Sequence, residues 1–351
     1  MTSPSFMGAD SFYVRVNLDL DASVRSGPHT RCDDILLVTD TWYEGRYQWR
    51  CRRVDRETGE PQQEASLPNY NRAQQQLLVR FRTLGLKLRD CKMKLCKKDS
   101  ERMRLVKVTG RCSHDRSVGP QLVYTLNQRQ EENLIPYSLV QLEHVSSRRP
   151  VIFSPSILSH RLIERLLQPA ESGLDFNTCP PEPIGPAERR DKNVFLLDVP
   201  NDQSQGIRLE SIQDVIHQDK HCLLELGVGS VEALLRQGIY PIVIHIKPKD
   251  KKGRRFKCVS ILSVTDMSYA HLYDSNTHFS VFDRKFLSGQ SEEKLMEEVC
   301  QKEEFQLESL PMLHYTLQPR TWNCTEDLLV AIRNAIYSQQ RAVVWVEQSR
   351  L

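Results

Sequence analysis

No stretch of this chain approaches the roughly 18 consecutive apolar residues of a membrane-spanning helix. Its first residues, Met1-Thr-Ser-Pro-Ser-Phe-Met7, lack the basic and apolar blocks of a secretory leader. None of the ten cysteines forms a C-x-x-C pair, so Cys91, Cys96 and Cys112 make a poor zinc set. They read instead as reduced, mostly buried thiols in a cytosolic chain. His217 and His221 stand four apart but have no acidic general base beside them, and read as two solvated histidines near a helix end. A net charge of +3 is too small to imply a nucleic-acid partner.

What is present describes a globular protein. Charged residues make up 26% and apolar ones 39% of 351 positions, enough for two or three domains. Residues 10–70 read as a small β-barrel. Phe12–Leu18 and Tyr47–Val54 alternate, Asp34–Val38 is a compact strand, and glycine, proline and acidic clusters separate them. Residues 71–132 hold a basic amphipathic helix and a polar connector. Over 72–98, Leu77, Phe81, Leu84, Leu88, Cys91 and Leu95 recur at spacings of four and three, one apolar stripe.

Charge is segregated along the chain. Arg80–Arg116 carries 13 Lys and Arg against 4 Asp and Glu, whereas the remainder carries 35 against 41. A basic amphipathic helix can lie on an anionic membrane or in a calmodulin-like groove, or simply pack on its own domain with its lysines solvated. The candidate residues for an anionic lipid or acidic partner are Lys87, Arg89, Lys92, Lys94, Lys97 and Lys98. The stretch lacks the interleaved aromatics that stack on bases.

From 149 to 340 apolar strands alternate with helices, which predicts an α/β layer with a parallel sheet. Arg149–Leu167 reads as a buried strand, a turn and a helix whose apolar face is Leu162, Ile163, Leu166 and Leu167. Further strands are expected at Asn193–Asp198, Cys222–Val228 and Ile239–Ile246, and a helix at Leu209–His217. Ser230 is expected to cap a helix running to Arg236. Cys179–Pro186 reads as a loop without regular structure. Ser291–Glu308 predicts an acidic helix with Leu295, Met296, Val299 and Phe305 on its apolar side, and an atypical insertion falls near 257–287.

A strand–turn–helix in this order is where a phosphate loop sits, and G-x-x-x-x-G-K-[ST] is what such a loop requires. The turn here is Ser154-Pro155-Ser156-Ile157-Leu158-Ser159-His160, with neither glycine nor lysine.

Several motifs resemble known families. The strand order of 10–70, Trp49 and "LPNY" (Leu67 to Tyr70) resemble an SH3 domain. However, Leu18, Leu20 and Gln48 stand where its ligand-gripping rings are expected, and Trp49 reads as core. "RPVIFSPS" (149–156), "KHCLLELGVGSVEALLRQGIYPIVIHIKP" (220–248) and "LLVAIRNAI" (328–336) resemble the guanylate kinase fold. "ENLIPYSLV" and "AVVWVEQ" resemble the strands, near 133–140 and 342–348, that complete a split SH3 barrel in membrane-associated guanylate kinase (MAGUK) scaffolds. Together they are most similar to the C-terminal half of the CARMA (CARD-containing MAGUK) scaffolds.

The resemblance implies a split SH3-like barrel with an inactive guanylate-kinase-like domain, no cofactor and no catalytic residue. Ile157 and Ser159 fall on loop glycines of the kinase and His160 on its lysine, where a largely neutral histidine is a poor substitute. Glu225-Leu226-Gly227 replaces Asp-Ile-Asp, and the proline loop from Cys179 replaces the nucleotide lobe. The implied role is non-catalytic scaffolding that supports a CARD adaptor–paracaspase complex and NF-κB activation. The CARD, coiled coil and PDZ domain are lacking here, which reads as a fragment or short isoform. Protein partners, no metal, oligomerisation and a peripheral place at the plasma membrane are the accompanying expectations. The alternatives are a nucleotide-binding kinase, or an adaptor for lipid or calmodulin through the basic helix.

Overall fold

The computed structural model describes residues 11–20, 30–43, 47–90, 102–104, 106, 134–168, 173–197, 205–247 and 292–348. They divide into two compact units, Met1–Glu143 with Trp345–Leu351, and His144–Val344. No helix among the described residues is long and apolar enough to cross a membrane.

The first unit is built on a six-stranded antiparallel sheet. Strands β1 (Phe12–Val16), β2 (Ile35–Asp40), β3 (Gln48–Val54), β4 (Pro61–Pro68), β5 (Tyr137–Glu143) and β14 (Val344–Glu347) run in the order β14-β5-β1-β2-β3-β4. Register is fixed by alternation: Val14 faces Leu36 and Leu139 while Arg15 faces Ile35 and Ser138. Val14, Val16, Leu36, Val38, Trp49, Cys51 and Leu67 form one buried cluster. Trp49 meets Phe12 edge-on at 5.8 Å and Tyr137 at 5.6 Å, so it is core rather than ligand groove.

Strand β4 was not expected from its residues. Pro61-Gln-Gln-Glu-Ala-Ser-Leu-Pro68 is mostly exposed and turns only Ala65 and Leu67 inward, so it has the polar pattern of an edge strand. Strand β5 also lies further along than 133–140. Leu134 and Ile135 are buried ahead of it, and Pro136, which has no N–H for a ladder, precedes its first residue. Helix α1 (Tyr70–Asp90) covers the expected helix up to residue 90, and 91–98 lie outside the described residues. Ala73 and Leu77 bury into the barrel core with Tyr70, Leu78 and Phe81 against it, so the first turns of the stripe serve their own domain.

The other face of β1 holds a buried charge cluster. Arg15 and Arg104 are 1% and 0% exposed, and Glu347 is 0% exposed. Glu347 Oε1 accepts from Arg15 Nη1 at 3.2 Å and from Arg104 Nη2 at 2.8 Å. Asp33 Oδ1 accepts from Arg15 Nε at 2.9 Å and Nη2 at 2.6 Å. Burial alone would raise the Asp33 carboxyl, but Arg15, Arg102 and Arg104 outweigh it and hold it well below the usual carboxylate range. Arg102–Arg104 is strapped beside β1 by two backbone bonds, Asp19 N–H to Arg102 O at 2.9 Å and Arg104 N–H to Asn17 O at 2.6 Å.

The second unit centres on a five-stranded sheet. Strands β6 (Val151–Ser154), β7 (Phe176–Thr178), β11 (His221–Leu224), β12 (Ile242–Ile246) and β13 (Tyr315–Leu317) are parallel in the order β13-β12-β6-β11-β7. Every residue of β6, β11 and β12 is buried, as expected of strands covered on both faces. Helices α2 (Ser159–Leu166), α3 (Leu209–His217), α4 (Val231–Arg236), α5 (Glu292–Glu308) and α6 (Thr325–Arg341) follow in chain order. Leu162, Ile163 and Leu166 of α2 pack with Leu328, Ile332 and Ile336 of α6 in one core.

A second sheet departs from the irregular loop read at Cys179–Pro186. Strands β8 (Glu182–Pro183), β9 (Val194–Leu196) and β10 (Gln205–Arg208) form a small antiparallel lobe in the order β8-β10-β9. Pro183 is tolerated because β8 is at an edge. Gly206 permits the close approach, since a Cβ there would stand 2.9 Å from Ile184 Cγ1 and 3.0 Å from Phe195 O.

Other expectations are corrected locally. Ser230 is itself in the helical region and makes no side-chain cap to α4. Leu167 ends α2 and is 39% exposed, so it leaves the buried face. His221 opens β11, is buried rather than solvated, and its Nδ1 donates to Arg149 O at 2.9 Å. Burial lowers its pKa and keeps it neutral. The segment 257–287 lies outside the described residues.

Candidate functional site: the turn between β6 and α2

Arg149 sets the entrance to β6. Its guanidinium is buried and donates to Tyr240 O (2.9 Å), Pro241 O (2.9 Å) and Gln339 O (2.7 Å). The last of these lies in the closing turn of α6, where unsatisfied carbonyls concentrate negative potential. Burial lowers the Arg149 pKa to about 10, which leaves it charged at neutral pH. One side chain thus ties the start of β6 to the residues leading into β12 and to the end of α6.

Beyond β6 the chain makes a 3-10 turn at Ser156–Leu158 and enters α2. The free backbone donor of this turn does have an acidic partner, and it comes from within the chain. Ser156 N–H donates to Glu303 Oε1 at 2.9 Å and Oε2 at 3.1 Å, and the Ser156 hydroxyl donates to Oε1 as well. Glu303 is 4% exposed. Burial raises its pKa, while the Ser156 donors oppose that rise.

Glu303 was missed by sequence reasoning, and the apolar side of α5 is corrected with it. Cys300, Glu303 and Leu307 are the buried residues of its second half, while Phe305 is 49% exposed and Val299 only half-buried. The side chains of Leu295 and Met296 lie outside the described residues. The available signal was an acidic residue three after Cys300 and four before Leu307, in register with an inward stripe.

His160, at the kinase's lysine position, is also corrected. Its Nδ1 lies 2.5 Å from Glu225 Oε1 and its Nε2 3.3 Å from Glu164 Oε1. Hydrogen bonds from Glu164 and Glu225 raise its pKa to about 10, so it is imidazolium at neutral pH rather than largely neutral. That charge is committed to two carboxylates. Folding raises this pKa above its ordinary 6.5, so the stabilisation is fully present below 6.5 and fades as pH rises toward about 10. In an NMR titration His160 is expected to stay protonated at pH 8, and Glu225→Gln to move its midpoint down. A wild-type midpoint near 6.5 would refute the pairing.

Of the six candidate lipid or partner residues, Lys87 and Arg89 fall in α1 with no described side chain. Lys92, Lys94, Lys97 and Lys98 lie outside the described residues. Among the described residues no group of three or more His, Cys, Asp or Glu is placed to hold a metal ion. Cys32, Cys51, Cys179, Cys222 and Cys300 are free and buried, and Cys324 is free and exposed.

The six-stranded sheet closed by a distant C-terminal strand defines an SH3-like barrel, and the parallel sheet with its antiparallel lobe defines a guanylate-kinase-like unit. No family model matches the chain. Caspase recruitment domain-containing protein 14 of Mus musculus is 28% identical over 96% of the chain, and that of Homo sapiens 27% over 97%. Tight junction protein 1 of Canis lupus familiaris is 24% identical over 76% of the chain, which covers 14% of that protein. The chain spans 32% of the length of each protein 14 relative. The crystal structure of the SH3-kinase fragment of tight junction protein 3 (TJP3) in apo-form covers 97% of this chain and 100% of its own. At 18% identity and a TM-score of 0.37 that overlay adds no weight. These relatives agree with the resemblance to the SH3–guanylate-kinase-like half of a CARD-containing MAGUK scaffold.

Proposed function

We propose that this chain is a non-catalytic scaffold module that binds protein partners of a signalling complex and has no nucleotide to process. The observation that carries this reading is Glu303, whose carboxylate already occupies the backbone donor of the β6–α2 turn. A phosphate would have to displace a buried carboxylate, and the His160 imidazolium at the kinase's lysine position is already paired with Glu164 and Glu225. The glycines that would let backbone wrap a phosphate are replaced by Ile157 and Ser159.

Calorimetry with GMP and with ATP–magnesium is the direct test. No binding at micromolar ligand is expected for either, and micromolar affinity for one of them would restore the enzyme reading. Similarity to caspase recruitment domain-containing protein 14 supports a finer version, in which the module assists assembly of a CARD adaptor–paracaspase complex upstream of NF-κB. Loss of that complex from cells when this module is deleted from the longer protein would support it, and unchanged assembly would remove it.

The segregated charge favours a second role. The 13 basic residues of Arg80–Arg116 would hold the scaffold peripherally against an anionic membrane at its cytoplasmic face. Sedimentation with anionic liposomes tests this. Equal binding by a variant with Lys92, Lys94, Lys97 and Lys98 neutralised would count against it.

A further inference from the structure

Cys179 is the first residue after β7, and Cys222 is the second of β11. These strands pair in parallel with Asn177 opposite Cys222 and Thr178 opposite Leu223. Side chains alternate along a strand, so Cys179 shares the face of Asn177 and stands one diagonal step from Cys222. The two sulfurs are 3.2 Å apart. The Cys179 thiol also donates to Ser211 O of α3 at 3.2 Å, which leaves its sulfur to accept from the Cys222 thiol.

We propose that Cys179 and Cys222 form a peroxide-sensitive pair that closes to an intramolecular disulfide and fastens the β8-β10-β9 lobe to the central sheet. A disulfide requires about 2.05 Å between sulfurs, so each needs to move only about 0.6 Å. Cys179 lies just outside the β7–β11 ladder, so a side-chain rotation there breaks no ladder bond. Cys179 is 3% exposed and the segment that follows it is at the surface, with Pro180, Glu182 and Pro183 exposed, so a small peroxide is the oxidant that the site would admit.

The order of events follows from the hydrogen bond between the thiols. Acceptance from Cys222 lowers the Cys179 pKa against the opposing effect of burial, whereas the same bond and burial push Cys222 up. Position agrees: Cys179 borders the exposed Pro180 whereas Cys222 lies inside the fully buried β11, so Cys179 takes the attacking role. Its sulfur attacks one peroxide oxygen, the O–O bond breaks, and the departing hydroxide takes up the proton Cys179 released, leaving a sulfenic acid and water. The Cys222 sulfur then attacks the Cys179 sulfur. The S–S bond forms, the S–O bond breaks, and the second hydroxide leaves as water with the Cys222 proton. Two thiols lose two electrons and one hydrogen peroxide is reduced to two waters. Cytosolic thiol reductants would reverse the step.

The cross-link encloses the residues between 179 and 222, which include β8, β9, β10 and α3. Constraining that span in the unfolded chain is expected to raise Tm by roughly 5–10 °C. The test uses the whole 351-residue chain treated with hydrogen peroxide, quenched with iodoacetamide and mapped under non-reducing conditions. Exposed Cys324 serves as the internal measure of oxidant dose. The expected result is a linked Cys179–Cys222 peptide lighter by two hydrogens, together with a higher Tm, both reversed by dithiothreitol. Cys222→Ala is expected to stop at a dimedone-reactive Cys179 with no gain in Tm. Should that variant fail to fold, the wild-type map decides alone. Two alkylatable thiols remaining at 179 and 222 after Cys324 is fully oxidised, or Cys179 linked to another cysteine, would overturn the proposal.

Discussion

A chain that stops at Gln340 is expected to lose hydrogen-exchange protection in β1 and β5, strands that end at Val16 and Glu143, far upstream of the cut. The deletion removes β14, whose Val344, Trp345, Val346 and Glu347 are all buried. Trp345 meets Tyr13 edge-on at 5.0 Å, and its Nε1 donates to Arg56 O at 3.1 Å. Each large apolar side chain returned to water costs about 1.5–3 kcal/mol. The charges of Arg15 and Arg104 would also be left with one buried carboxylate between them. Against a typical domain stability of about 5–15 kcal/mol, the barrel should unfold. Exchange mass spectrometry reads this by segment. Full protection of Tyr13–Val16 and Tyr137–Val140 in the shortened chain would show that the barrel does not depend on its last strand.

A single substitution, Glu347→Ala, isolates the electrostatic part of that loss. Glu347 Oε1 is shared by two guanidiniums that are themselves buried. Removing one partner of a buried ion pair costs about 3–5 kcal/mol, because the other charge stays desolvated. Here two guanidiniums lose one shared acceptor while Arg15 keeps Asp33 and Arg104 keeps Asn17 Oδ1, so Glu347→Ala should fall within that range and appear as a lower urea midpoint. Glu347→Leu combined with Arg104→Met should recover part of the loss, since a packed apolar pair needs no solvation. An Ala variant within about 0.5 kcal/mol of wild type, the usual range of a surface change, would refute the network. The cluster also fixes a pH dependence. The folded Asp33 pKa lies below its ordinary 3.8, so its contribution is present above 3.8 and is lost as pH falls through the lowered value.

The parts of the fold most legible in the sequence are those whose residues report a local environment. Val151–Phe153, Cys222–Leu224 and Ile242–Ile244 are unbroken apolar runs because both faces of the central sheet are covered. Helix α3 spans Leu209–His217 as its pattern predicts, with Ile212 and Val215 inward. Strands at an edge were harder to see. β4 and β8 carry the polar and proline residues that suit an exposed strand, and those residues equally describe a loop.

The site was legible by its deficits and not by what replaced them. The missing glycines and lysine show in Ser154–His160, but the partner of Ser156 lies 147 positions away and that of His160 lies 65 away. Protonation of His160 follows from Glu164, four residues on along α2, and from Glu225, which no local window joins to it. The burial of Arg15 and Arg104 leaves no local sign for the same reason. Charged residues are normally solvated, and only the fold brings Glu347 to them.

The sheet order β14-β5-β1 also sets a timetable for synthesis. About 200 residues separate the end of β5 from the start of β14, so at translation rates of about 5–20 residues per second the nascent barrel waits about 10–40 s for its final strand. During that interval the hydrogen-bonding edge of β5 is unpaired and adhesive. The guanidiniums of Arg15 and Arg104 meanwhile have no Glu347 to meet and retain their water. The whole parallel-sheet unit is made within that wait, so it can be complete before the barrel around it in sequence has closed.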